Sequence, residues 1–210
     1  FIGSARVGWM LRSKLAPGTR CALEHGGAAP VILAADADLD DALPRLAKGG
    51  FYHAGQVCVS VQRIFAHSSI AENAAATLAE LGAKMKVGDP TSRDTEVGPL
   101  IRTAEVDRVD EWVQAAIAGG AKCLTGGERI SESCYKPTVL FNPPEDANVS
   151  TMEIFGPVIC VYSYDDIDDA IEKANSLPVS FQAAVMTKDI DTAMRVYNRI
   201  DATAVMVNEH

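Results

Sequence analysis

Short β-rich runs alternate with apolar residues at helical spacing along most of this chain, and that alternation leaves few folds open. The runs are Val31–Leu33, Gln62–Ala66, Lys122–Leu124, Val139–Phe141, Val158–Tyr164, Ala183–Thr187 and Ala204–Val207. Several are apolar at consecutive positions, as strands covered on both faces are. Helical stripes lie at Leu39/Leu43/Leu46, Ile70/Ala74/Leu78, Val106/Val109/Val113, Ile167/Ala170/Ile171 and Ile190/Ala193/Tyr197. Asp38 reads as the N-cap of the first stripe, Ser69-x-x-Glu72 as a capping box for the second, and Gly119-Gly120 as the end of the third. Strands joined through helices make right-handed crossovers, hence a parallel sheet. The expected fold class is α/β: a three-layer domain with a mostly parallel sheet and helices on both faces. Phe1–Arg20 reads as an incomplete helix-then-turn unit, as though it belonged to a preceding domain.

The net charge of −9 over 210 residues discourages nucleic-acid binding, which needs clustered Lys and Arg. The acidic runs Asp36 to Asp41 and Asp165 to Asp169 read as helix starts. No apolar stretch approaches the roughly 18 residues that span a bilayer, and Phe1-Ile-Gly-Ser4 has no basic start or cleavage site. No membrane partner is expected. The cysteines, at 21, 58, 123, 134 and 160, are odd in number and form no Cys-x-x-Cys. Cys21, Cys123 and Cys160 lie in strand-like settings, so a reduced, cytoplasmic protein is expected rather than a disulfide framework. The chain opens without Met and ends in a patterned segment, which reads as a piece of a longer protein.

Cys58 is the one cysteine in a glycine-bearing turn between a helix-like and a strand-like segment, Gly55-Gln-Val-Cys58-Val. An ordinary thiol is about 3% thiolate at pH 7, and nearby helix N–H groups would raise that fraction. Two readings stand: an activated nucleophile, or a packed inert thiol. Glu24, in Leu23-Glu-His-Gly-Gly27, follows the strand-like Arg20–Leu23 and precedes glycines that permit close backbone approach. It reads as a base that activates water against a thioester, or as a solvated turn carboxylate. A Cys58–His53 pair would instead make a thiol hydrolase or acyltransferase, and a non-catalytic scaffold is a third reading. His25, His67 and His210 show no metal-ligand spacing, and there is no Gly-x-Gly-x-x-Gly or phosphate loop.

Taken in order, Phe1-Ile-Gly-Ser4, Leu23-Glu-His-Gly-Gly27, Gly55-Gln-Val-Cys58, Val97-Gly-Pro-Leu-Ile101, Glu153-Ile-Phe-Gly-Pro-Val158 and Val205-Met-Val-Asn208 resemble the motif series of the aldehyde dehydrogenase superfamily. The resemblance spans nearly the whole chain. It implies oxidation of an aldehyde to an acid with NAD or NADP, Cys58 as nucleophile and Glu24 as the water-activating base. It further implies that Glu153 holds the nicotinamide ribose and Phe155 packs near the nicotinamide. Ser4 would approach the cofactor phosphates, and Gly26 and Gly27 would admit the dinucleotide close to the backbone.

By the same resemblance residues 1–24 are a remnant of the dinucleotide-binding domain. Residues 25–210 are then the catalytic domain, truncated at its C-terminal end, and the full-length protein is a homodimer or homotetramer. The isolated chain is expected to be inactive as a dehydrogenase. Departures are His25 where Leu is common, Ala28 where Lys is common, and Val179-Ser-Phe181 where Tyr-Gly-Leu is usual.

Overall fold

The computed structural model describes residues 1–178 and 180–210. Val179, one of the three departures, lies outside them. In chain order the elements are α1 (Ala5–Arg12), β1 (Val31–Leu33), α2 (Leu39–Phe51), a 3-10 turn (Tyr52–Gly55), β2 (Arg63–His67), α3 (Ser68–Lys84) and α4 (Thr103–Ala118). There follow β3 (Lys122–Thr125), β4 (Thr138–Phe141), α5 (Asn148–Thr151), β5 (Val158–Tyr164), α6 (Ile167–Ala174), β6 (Gln182–Met186), α7 (Ile190–Arg199) and β7 (Ala204–Val207). The strands form one seven-stranded sheet in the order β3-β4-β5-β2-β1-β6-β7. Every pair is parallel except β3 with β4.

Both faces of the sheet are covered, and the register shows how. Arg63 pairs with Cys160 and Phe65 with Tyr162, so these four side chains share one face. On that face Arg63 donates to the carbonyls of Lys173 (3.2 Å) and Ala174 (2.9 Å), the C-terminal end of α6, and Phe65 stacks on Tyr162. Ile159 points the other way, against α2, where a Cβ on Gly50 would fall 2.5 Å from its Cδ1. α3 packs beside α2 and also reaches β2, β4 and β5. The core between the layers is apolar: Ile32, Leu33, Leu46, Ile64 and Val161 are all fully buried.

Local signals decide most element ends. Asp38 caps α2 by accepting from the Asp41 N–H. Asp166 and Asp189 cap α6 and α7 in the same way, and Gly119 closes α4. Four expectations need correction. The Ser69/Glu72 capping box does not form; β2 runs directly into α3, so the cap falls on the junction residue, where His67 Nδ1 accepts from the Ser69 N–H (3.2 Å).

Arg20–Leu23 is not a strand, since only Glu24 pairs, in a single bridge to Ile2, and Cys21 therefore lies in irregular chain. β3 is an exposed antiparallel edge, so Cys123 is exposed rather than packed. The acidic runs do more than start helices: Asp36 accepts from Thr187 and Lys188, and Asp168 pairs with Arg195 and Arg199.

Candidate active site

Where α2 ends the chain reverses through three consecutive residues with left-handed backbone, His53 (φ 49°), Ala54 (φ 55°) and Gly55 (φ 70°). Such conformations cost an L-residue roughly 1–2 kcal/mol each and persist only when surrounding contacts demand them. Here the demand is close approach: a Cβ on Gly55 would lie 2.0 Å from the Gly156 carbonyl oxygen. The reversal delivers Gln56, whose amide donates to Pro99 (3.2 Å) while its oxygen accepts from the Ile101 N–H (2.9 Å). Cys58 follows, half-buried in a turn before β2. The turn follows the C-terminal end of α2 and precedes β2, so neither flanking element presents a helix N-terminus to the thiol.

On the other side of this turn, Glu153–Val158 folds back against it. The strut is Gln62, only 4% exposed, which donates to Val149 (3.0 Å) and Met152 (2.7 Å) and accepts from the Ile154 N–H (2.8 Å). Arg108, stacked on Trp112, donates to the Ile154 carbonyl (2.6 Å) from the far side. Held at both ends, the segment presents Phe155 with a left-handed backbone (φ 51°) and an exposed ring.

Glu153 turns inward to accept the Gly27 N–H at 3.0 Å. Burial pushes its pKa up; the Gly27 N–H and the charges of Arg108 and His25 offset part of that. Gly26 must lack a side chain here, because a Cβ would fall 2.0 Å from Glu153 Oε1. A cavity of about 10 Å³, one water in size, separates Gly27, Val57, Glu153 and Phe155.

Gly26, Gly27, Glu153 and Phe155 therefore converge, and the turn that bears Cys58 reaches the same cavity through Val57. Glu24 and Ser4 do not line that cavity, although Gly26 borders both it, through Glu153, and the cleft of Glu24. Glu24 is exposed, its side chain has no hydrogen-bond partner among the described residues, and it lines a cleft of about 290 Å³ with Leu23, His25, Phe181 and Thr203. Ser4 is exposed at the N-cap of α1 and makes no side-chain capping bond. Backbone pairing of Phe1 and Gly3 with Glu24 brings these two segments side by side. The His53 ring packs on Tyr52 and makes no hydrogen bond to Cys58 among the described residues.

Sequence reasoning missed Gln62 and Arg108. The one available sign for Gln62 was a polar residue opening an apolar run.

The aldehyde dehydrogenase family matches along residues 1–210. The chain belongs to that family. It is 40% identical to a 3-sulfolactaldehyde dehydrogenase of Priestia aryabhattai over 209 residues, covering 100% of this chain and 43% of that protein. An aldehyde dehydrogenase of Aspergillus niger is 37% identical, again over 43% of its length. Among solved structures, glyceraldehyde-3-phosphate dehydrogenase GapN from Methanocaldococcus jannaschii, complexed with NADP, superposes with a TM-score of 0.94 at 34% identity. It is matched over 100% of this chain and 45% of that one. Betaine aldehyde dehydrogenase from Staphylococcus aureus, in complex with NAD+, gives a TM-score of 0.93 at 33% identity over 100% and 43%. The chain thus spans under half the length of the aldehyde dehydrogenases it matches, and its seven-stranded α/β fold is theirs.

Proposed function

We propose that these residues supply the catalytic domain of an NAD(P)-dependent aldehyde dehydrogenase of the hydrolytic kind. The observation that carries the reading is the convergence of the Cys58 turn, the Gly26-Gly27 backbone and the Glu153–Val158 segment around one small cavity. Cys58 thiolate adds to the aldehyde carbonyl carbon, and the oxygen becomes the alkoxide of a thiohemiacetal. NAD(P), when bound, would supply the hydride acceptor needed for oxidation of this adduct to the thioester level. Glu24 takes a proton from water, hydroxide adds to the thioester carbon, and the Cys58 thiolate leaves as the acid is released. The Glu24 carboxylate, exposed and without a hydrogen-bond partner among the described residues, suits a base that meets solvent water.

The residues present fit the cofactor on one specific point. The buried Glu153 carboxylate spends one acceptor position on Gly27, which leaves capacity for hydroxyl donors such as a ribose diol. Phe155 offers an exposed ring beside it, and Gly26 and Gly27 leave the backbone open to close approach. Ser4, at the start of α1, is assigned to the phosphates on the family resemblance.

Residues 1–24 are assigned to the preceding, dinucleotide-binding domain. In support, α1 buries only Gly8, exposes Trp9, Met10 and Leu11, and lies outside the seven-stranded sheet. The free cysteines support a reduced, cytosolic setting, and among the described residues no helix is long and apolar enough to cross a membrane. A homodimer or homotetramer is the proposed assembly of the full-length protein.

The test is pre-steady-state kinetics of the full-length protein. Cys58→Ser should abolish aldehyde-dependent reduction of the cofactor. Glu24→Gln should keep a stoichiometric burst of reduced cofactor while steady turnover falls by about 10²-fold or more. Steady turnover untouched by Glu24→Gln would remove Glu24 from the mechanism.

A further inference from the structure

The peptide groups on both sides of Glu153 are fastened by one side chain. The Gln62 carboxamide donates to the Met152 carbonyl (2.7 Å) and accepts from the Ile154 N–H (2.8 Å), so both peptides end on the same planar group. A further bond, to the Val149 carbonyl (3.0 Å), fixes that carboxamide to α5. From the opposite side Arg108 of α4 donates to the Ile154 carbonyl (2.6 Å), in the peptide that leads into Phe155.

Gln62 is tied as well to the segment that Glu153 reaches. Its main-chain N–H donates to the Ala28 carbonyl (3.3 Å). Ala28 follows Gly27, whose N–H meets the Glu153 carboxylate at 3.0 Å. The bonds close a ring that runs from the Gln62 side chain through the backbone and carboxylate of Glu153 to Gly27-Ala28 and back to the Gln62 backbone. Gln62 stands between the Cys58 turn and β2, and it lines the same small cavity as Val57, Glu153 and Phe155. An apolar side chain of the same length would fill its space but open the ring. The Ile154 N–H and the carbonyls of Met152 and Val149 would then lose these partners, and only Arg108 would grip the segment.

We propose that Gln62, with Arg108 opposite it, is a positioning residue that aligns Glu153 and Phe155 against the cofactor and joins that side of the site to the turn that carries Cys58. Both side chains act through main-chain atoms of residues 152–154. This rests on the dehydrogenase reading above and adds the residues that hold its site in register. Such alignment matters because a misplacement of about 1 Å can cost on the order of 10²-fold in rate.

The experiment is a double-mutant cycle on the full-length protein, read by calorimetric titration with NAD+ and with NADP+. Gln62→Met should weaken binding of the preferred dinucleotide by about tenfold, but by only about twofold on a Glu153→Ala background, where the group it aligns is gone. Arg108→Met, at a half-buried position, should show the same pattern with a smaller loss. Alkylation of Cys58 by iodoacetamide, followed by mass spectrometry, should stay within about twofold of the parent rate in both variants, since the turn itself is unaltered. Cooperative urea unfolding of each variant separates misplacement from loss of the fold. If Gln62→Met does not fold, the Arg108→Met cycle decides. Equal losses with and without Glu153, or no loss, overturn the inference and leave the dehydrogenase reading standing. A parent protein that binds neither dinucleotide overturns that reading and this inference with it.

Discussion

Glu153 holds its position at an electrostatic cost, and that cost depends on pH. Burial raises its pKa above the ordinary 4.5 despite the Gly27 N–H. In the window above 4.5 the native state therefore binds more protons than the unfolded chain, and stability falls as pH rises through it. Glu153→Gln keeps an acceptor for Gly27 and removes the ionisation. Urea unfolding should show the variant gaining on the parent as pH rises above 4.5, with little difference at the acid end. A difference independent of pH would mean the carboxylate is not desolvated in the native state. Residue identities at this scale were partly legible: Cys58, Gly26 and Gly27 stood out by type and setting, and Glu153 only through the series of motifs. Gln62 did not, because its role lies in three bonds to a segment about ninety residues away.

At the scale of elements, α2 contains a residue that works against it. Pro44 lies inside the helix on its exposed side and cannot donate to the Asp40 carbonyl. The surrounding stripe of Ala42, Leu43, Leu46 and Ala47 is buried and outweighs this defect. Pro44→Ala should restore one helical hydrogen bond and stabilise the domain by about 1 kcal/mol, less than the full ~3 kcal/mol proline penalty because the unfolded chain also gains freedom. A rise in urea midpoint at constant m-value checks this; a fall would show that Pro44 sets the path of the chain into the Cys58 reversal. Element types were readable because periods of 3.6 and 2 are local properties. Element ends were less so: the His67 cap arises only because β2 and α3 abut, which no capping motif announces.

At the scale of the molecule, residues 1–20 hang on by few contacts. They pair with Glu24 and Ala22 through Phe1 and Gly3, and pack Gly8 and Trp9 against His25. None of the sheet's strands lies in this segment. Deleting residues 1–20 should leave the far-UV spectrum of the sheet and helices nearly unchanged and shift the unfolding free energy by no more than about 1 kcal/mol. Loss of cooperative unfolding would instead make α1 part of the domain and move the proposed boundary.

By itself the sequence determined the α/β class, the order of the strands and of the main helices between them, and the turn that bears Cys58. Each of these depends on residues within a few positions of one another, where side-chain period, caps and glycines act directly. Only the tertiary structure decided that β3 is an antiparallel exposed edge and that β5 inserts beside β2. It also decided that Gly27 meets Glu153 across 126 positions, and that Val57 and Val59 face different clefts. Those outcomes follow from the summed packing of both sheet faces and from backbone approaches that only particular glycines allow. No local pattern carries them, because the contacts that settle them do not exist until the chain has closed on itself.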